Sequence, residues 1–268
     1  MKWWCSASDA AWSWNWRPYP GVWLLLIAVI VFHFHAWSRV EQAGLARRHA
    51  GQTLSYLAGA LALWAATDWP IGALGAGYLL SAHTVTYILL ALVAPPLLWL
   101  GLPRDQWAPN AGQVARLLAR PLPALVVFNA TLILTHLPAF VDGWMRSQWG
   151  SFGTDLAWLA SGLILWWPVL APNPAVSRLS QGAQMGYLFA ASILPTVPAM
   201  FLVFASYPVY GLYELAPRVT PILTAGTDQQ LAGLIMKVIG DIPLWIGFAA
   251  VFFAWARREH RDEVGALA

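Results

Sequence analysis

The sequence predicts an all-α integral membrane protein, a bundle of seven transmembrane helices with its N-terminus outside and its C-terminus in the cytoplasm. Three observations predict it. Of 268 residues, 59% are hydrophobic and only 10% are charged, too few to cover a soluble globule, so lipid must act as part of the solvent. Seven apolar runs follow one another, at 20–38, 51–68, 72–101, 122–141, 150–170, 183–206 and 229–256, each near or above the ~20 residues a spanning helix needs. The basic residues of alternate loops are unequally shared. Arg39, Arg47, Arg48, Arg104, Arg116, Arg120, Arg178, Arg257, Arg258 and Arg261 fall on one side, against Lys2, Arg17, Arg146 and Arg218 on the other. Positive charge is retained on the cytoplasmic side, which fixes the expected orientation.

In chain order, residues 1–18 form a tail rich in tryptophan (Trp3, Trp4, Trp12, Trp14, Trp16), expected at the membrane interface because indole favours the headgroup level. The tail has too little continuous apolar length to be a cleavable signal peptide. Residues 19–256 hold the seven-helix domain, and 257–268 a short cytoplasmic tail. Within the third run, Pro95 and Pro96 free carbonyls a turn earlier and predict a kink or exit near the membrane surface. The stretch Arg104 to Arg120, with Val114, Leu117 and Leu118 between its arginines, fits either a short surface helix or a solvated loop. The one cysteine, Cys5, excludes internal disulfides, and a net charge of +3, scattered along the chain, gives no reason to expect nucleic acid.

Titratable groups inside spans are costly and mark candidate functional positions. Here they are His33, His35, His83, His136, Asp155, Lys237 and Asp241. On the predicted spans, His136 and Asp155 each lie ~8 Å below the outer surface, and His83, eleven residues into span three, ~16 Å down. Tyr87 follows His83 by one turn on the same face. Met200 and Met236 add thioethers at comparable depth, and Asp228 stands at the outer mouth of span seven. The expectation is an outward-opening pocket in which His83, His136 and Asp155 converge, with Met200, Met236 and Asp228 as additional donors. Imidazole with thioether favours copper over hard cations. His33 and His35, two apart, point to different sides of their helix and read as interfacial or helix-to-helix hydrogen-bonding groups.

Lys237 and Asp241 are four apart on one helix face and can neutralise each other. A lysine in the seventh span is also where microbial rhodopsins bind retinal. Those proteins carry an arginine and two aspartates on their third helix, whereas span three here has His83 and no carboxylate.

The order of motifs resembles the CtaG-type assembly factors of caa-type cytochrome c oxidase. It is carried by WNWRP before span one, SAH and LVAPPLLWLGLP in span three, THLPAF in span four, WWPVLAPNP ending span five and TDQQLAGLIM opening span seven, across about Trp14 to Trp255. The resemblance implies a bacterial inner-membrane protein that helps mature the copper-containing catalytic subunit of a haem-copper oxidase. Its partners would be that subunit and membrane lipid, and copper a transient cargo. Four positions depart from the family pattern: Tyr87 and Asp155 stand where histidines are usual, with Ser151 at the other position of a span-five histidine pair, and Lys237 replaces a tryptophan. A site of two histidines and a carboxylate implies weaker copper binding, another metal, or a scaffold without metal. No activated serine or cysteine and no nucleotide-binding glycine loop is present, so the expectation is not an enzyme. A small metal or solute transporter is the alternative, with Pro195, Pro198, Gly240 and Pro243 breaking its last two spans.

Overall fold

The computed structural model describes residues 2–44, 47–103, 117–170 and 179–267. The stretch read as either a surface helix or a solvated loop therefore lies, from 104 to 116, outside the described residues, as does Arg178. All regular structure among the described residues is helical. In order it comprises α1 (Pro20–Gln42), α2 (Ala50–Thr67), α3 (Ile71–Gly77), α4 (Leu80–Ile88), a π-helical turn π1 (Leu89–Val93) and α5 (Ala94–Gly101). Then come α6 (Pro121–Thr135), α7 (Pro138–Trp144), α8 (Gln148–Leu170), α9 (Gln181–Ile193), α10 (Thr196–Phe204), α11 (Gly211–Glu214), α12 (Ala225–Leu234), π2 (Ile235–Ile239) and α13 (Gly240–Leu267).

Local chemistry sets the boundaries. Pro20, Pro121 and Pro138 each open a helix, where a missing N–H costs nothing. Gly44, at φ 68°, adopts the left-handed conformation just past the end of α1. Proline also explains the two π-turns. Pro95 and Pro96 cannot donate to the carbonyls of Ala91 and Leu92, nor Pro243 to that of Ile239, and in each case the carbonyl left without its usual donor lies in the widened turn upstream. The helix runs on past Pro95 and Pro96 to Gly101, so these prolines do not end the span. The freed Ala91 carbonyl faces Gly162 of α8, where any side chain would collide with it, so the two helices meet backbone to backbone.

Among the described residues, four continuous helical stretches are long and apolar enough to cross a membrane: Pro20–Gln42, Leu80–Gly101, Gln181–Phe204 and Ala225–Arg261. The count rises to six if α2 with α3, bent by 42°, and α6 with α7, bent by 68°, are each one span. The 23-residue α8 carries Ser151, Thr154, Asp155 and Ser161 on its buried face. Leu80–Gly101 is the central element, 61% buried against 11–39% for the other three, and Tyr87, Leu90, Leu92 and Leu98 pack from it against α2, α6, α8 and α9. Large apolar side chains such as Leu24, Leu54, Val126, Phe201 and Ile246 point outward, as lipid-facing surfaces require.

One boundary differs from the sequence expectation. The apolar run 72–101 is not a single helix: Ile71–Gly77 continues α2 across a bend, and Leu79 is extended (φ −132°, ψ 124°) before α4 starts at Leu80. The run of glycines at 72, 75 and 77 lets α3 lie against its neighbours, and a side chain at Gly75 would come 2.9 Å from the backbone nitrogen of His83. His83 is therefore the fourth residue of its helix and not the eleventh or twelfth of a longer one.

Candidate functional site

The break between α3 and α4 has His83 in the first turn after it, and the break between α6 and α7 holds His136. Pro138 forces Leu137 into an extended conformation (φ −70°, ψ 134°), which stops α6 at Thr135 and leaves His136 as its C-terminal cap. The rings of His83 and His136 lie 6.4 Å apart between centroids, and both residues are buried. Trp158 of α8 forms a common wall, 4.9 Å from His83, 5.5 Å from Tyr87 and 6.2 Å from His136. Its indole N–H donates to the Thr135 hydroxyl at 2.9 Å, which locks the wall to the residue before His136.

Backbone contacts fix both rings. His136 Nδ1 pairs with the Leu132 carbonyl at 2.8 Å, and the His83 ring faces the Gly75 carbonyl. Two tyrosines of the short helix α11, Tyr210 as its N-cap and Tyr213 within it, hold the same two positions from outside. Tyr210 donates to the His136 carbonyl at 2.8 Å and Tyr213 to the Gly75 carbonyl at 2.6 Å. Asp142 of α7 anchors α11 by accepting from the N–H groups of Gly211 (3.1 Å) and Leu212 (2.8 Å). Left without a partner at this site are a matched pair of buried nitrogens, His83 Nε2 and His136 Nε2, and the Tyr87 hydroxyl; elsewhere both ring nitrogens of His33 and several indole N–H groups are also unpaired. Buried polar atoms left unpaired are rare enough to point to a water or an ion.

The other expected donors are used elsewhere. Asp155 accepts from the indole N–H of Trp4 at 2.8 Å, and no set of three His, Cys, Asp or Glu side chains that could hold a metal ion is found among the described residues. Asp228 caps the start of α4, accepting from the N–H groups of Leu80 (2.6 Å) and Ser81 (3.3 Å) and from the Ser81 hydroxyl. Met236 is packed in the main core, and Met200 is half-buried on α10. His33 is buried and stacked on Tyr56 at 4.3 Å while His35 is exposed, as their spacing predicts. Lys237 and Asp241 form the expected ion pair at 2.6 Å, and the ammonium also donates to Thr196 at 2.8 Å.

The N-terminal tail is more than an interfacial strip. Trp14 and Trp16 are exposed, but Trp4 and Cys5 are buried, the backbone N–H groups of Trp3 and Trp4 donate to Gln148 (2.6 and 3.4 Å), and the Cys5 thiol donates to the Thr67 carbonyl at 3.1 Å. Burial pushes the Cys5 thiol pKa well above its ordinary value, with Asp155 adding to the effect, and desolvation lowers that of the Lys2 ammonium, which donates to the carbonyls of Ser6 (3.0 Å) and Ala7 (2.5 Å). Trp4, Tyr210, Tyr213 and Trp158 were not singled out by sequence reasoning. The only local sign was that the segment 207–213 carries three tyrosines in a loop between apolar spans.

No solved structure matches this chain. Similar sequences occur in mycobacteria: the uncharacterized proteins Mb0105 of Mycobacterium bovis and MT0111 of Mycobacterium tuberculosis are each 23% identical over 231 residues, and ML1998 of Mycobacterium leprae 23% over 234. These alignments cover 79–80% of this chain and 35% of each relative, so the chain spans about a third of the length of the curated relatives it matches. The family model described as cytochrome c oxidase caa3 assembly factor (Caa3_CtaG) matches residues 31–258, and by that match over most of its length the chain belongs to the caa3 cytochrome c oxidase assembly factor family.

Proposed function

We propose that this protein assists maturation of the copper-containing catalytic subunit of a haem-copper oxidase in the bacterial inner membrane, acting without catalysis of its own and holding copper transiently at His83 and His136. The observation that carries this reading is the pair of buried, partnerless Nε2 atoms on two rings 6.4 Å apart. Metal–imidazole bonds of about 2 Å can be accommodated between rings at that separation. Two neutral nitrogens in an apolar, aromatic surround suit a soft monovalent ion better than a hard divalent one. With Asp155 engaged by Trp4, the donor set is the histidine pair, and such a short set fits a cargo that must be handed on. In this reading α8, the fifth apolar run, also crosses the membrane and brings the spans to seven, the N-terminus and the histidine pair face outward, and the C-terminus faces the cytoplasm, which is supported by the ten-to-four division of basic residues.

The test is a Cu(I) competition titration of the purified protein and its His83→Ala and His136→Ala variants, beside oxidase activity in cells carrying each. Loss of copper binding and of oxidase maturation in both variants is the expected result. If neither quantity changes, the copper reading fails. If maturation falls while even the wild type binds no copper, the protein is a scaffold. The two bent spans that flank the histidines favour one rival, a transporter using the same groups as its path. Copper flux into protein-containing vesicles would identify it.

A further inference from the structure

A second site lies on the far side of the central span from the tail. A cleft of about 1140 Å³ runs between α4, π1 and α5 on one wall and α13 on the other, closed at its back by the end of α8 and the start of α9. Its walls are apolar over nearly their whole length, with Leu92, Leu100, Trp166, Val169, Ile246 and Ala250 among the lining residues. Its polar lining residues are gathered at one end: Ser180, Gln181 and Gln184 at the start of α9, and Arg258 near the end of α13. Arg258 is the one charged residue in the lining and is exposed.

The length and the placing of the polar groups select the occupant. The lining of π2 and α13 extends from Ile239 to Arg258, twenty residues or ~28 Å of helix, and is apolar until its last residue. A long apolar groove whose lining has one charged residue, a cation at its end, beside three uncharged hydrogen-bonding side chains is complementary to an amphiphile with an anionic head. We propose that the cleft holds an anionic phospholipid of the surrounding bilayer, its phosphate at Arg258 with Gln181 and Gln184 beside it and its chains laid along α13 toward Ile239. The site is separate from the histidine pair, and the inference stands or falls independently of copper.

Native mass spectrometry of the full chain in detergent, titrated with dioleoylphosphatidylglycerol or dioleoylphosphatidylcholine, tests it. The wild type should retain the anionic lipid in preference to the zwitterionic one. Arg258→Ala should weaken binding of the anionic lipid about fivefold, the size expected for one basic group at an anionic surface, and leave the zwitterionic lipid unaffected. Arg257→Ala, one residue away and outside the cleft lining, should change neither. Ala250→Phe, which fills the groove, should lower binding of both lipids. Equal losses in Arg257→Ala and Arg258→Ala would reduce the effect to general surface charge and overturn the proposal. So would undiminished binding in a folded Ala250→Phe, or a photo-crosslinker at position 250 capturing a polypeptide in native membranes where lipid is expected.

Discussion

The Tyr210 hydroxyl donates to the backbone carbonyl of His136 at 2.8 Å, across 74 residues of sequence. In an unbroken helix that carbonyl would accept from the N–H of Phe140, but the bend at Pro138 redirects Phe140 to Leu137. The tyrosine thus completes a backbone that proline interrupts. Tyr210→Phe should leave a buried carbonyl unpaired and lower stability by about 1–3 kcal/mol, read as a fall in the denaturation midpoint in detergent. Unchanged melting would show that water already serves this carbonyl.

The docked tail gives a second prediction. Cys5 is buried and its thiol pKa is pushed well above the ordinary value by desolvation, so at neutral pH it should resist maleimide in the folded protein. Asp155→Leu removes the acceptor of the Trp4 indole and weakens docking by about 1–2 kcal/mol, which corresponds to labelling roughly 5–30 times faster. Copper affinity should be unaltered, since Asp155 is committed to Trp4. Equal labelling rates in the two proteins would mean that this hydrogen bond does not hold the tail.

Lys237 and Asp241 should behave as one neutral unit. Removing either alone leaves a charge with no solvent to receive it, on the order of 3 kcal/mol, while Lys237→Met with Asp241→Leu should cost much less than the sum. A double variant no more stable than the single ones would deny the coupling. A visible absorbance band on adding retinal, lost in Lys237→Met, would instead indicate a rhodopsin-like pigment.

Orientation is checked by reporter fusions. A reporter joined after Arg258 should be active only in the cytoplasm, and one inserted in the segment 208–224 only outside. The reverse pattern would also move the histidine pair to the cytoplasmic half.

Membrane class and most of the helices were legible in the sequence because each depends on local composition: apolar length, proline at helix starts, the Lys237–Asp241 spacing. The break before Leu80 was not, because Gly72 to Leu79 is as apolar as the helix that follows and carries no proline to mark it. The pairing of His83 with His136 could be anticipated from their place in two spans, but the diversion of Asp155 could not, since its partner Trp4 is remote in sequence. Asp228 stood correctly at the mouth of the last span, yet its work is to cap α4, a role that only the packing of α12 beside Leu80 reveals.

The bond between Trp4 and Asp155 also sets an order of events during biosynthesis. At about 5–20 residues per second, the 151 residues that separate the partners take roughly 8–30 s to make. Throughout that interval the tail has emerged but its dock on α8 does not exist, so the aromatic cluster of Trp3, Trp4, Trp149 and Phe152 closes only after α8 has been inserted. A ribosome stalled before residue 155 would therefore display a chain whose cysteine is still open to reagents, and the moment of its protection is a clock for the arrival of the fifth apolar run.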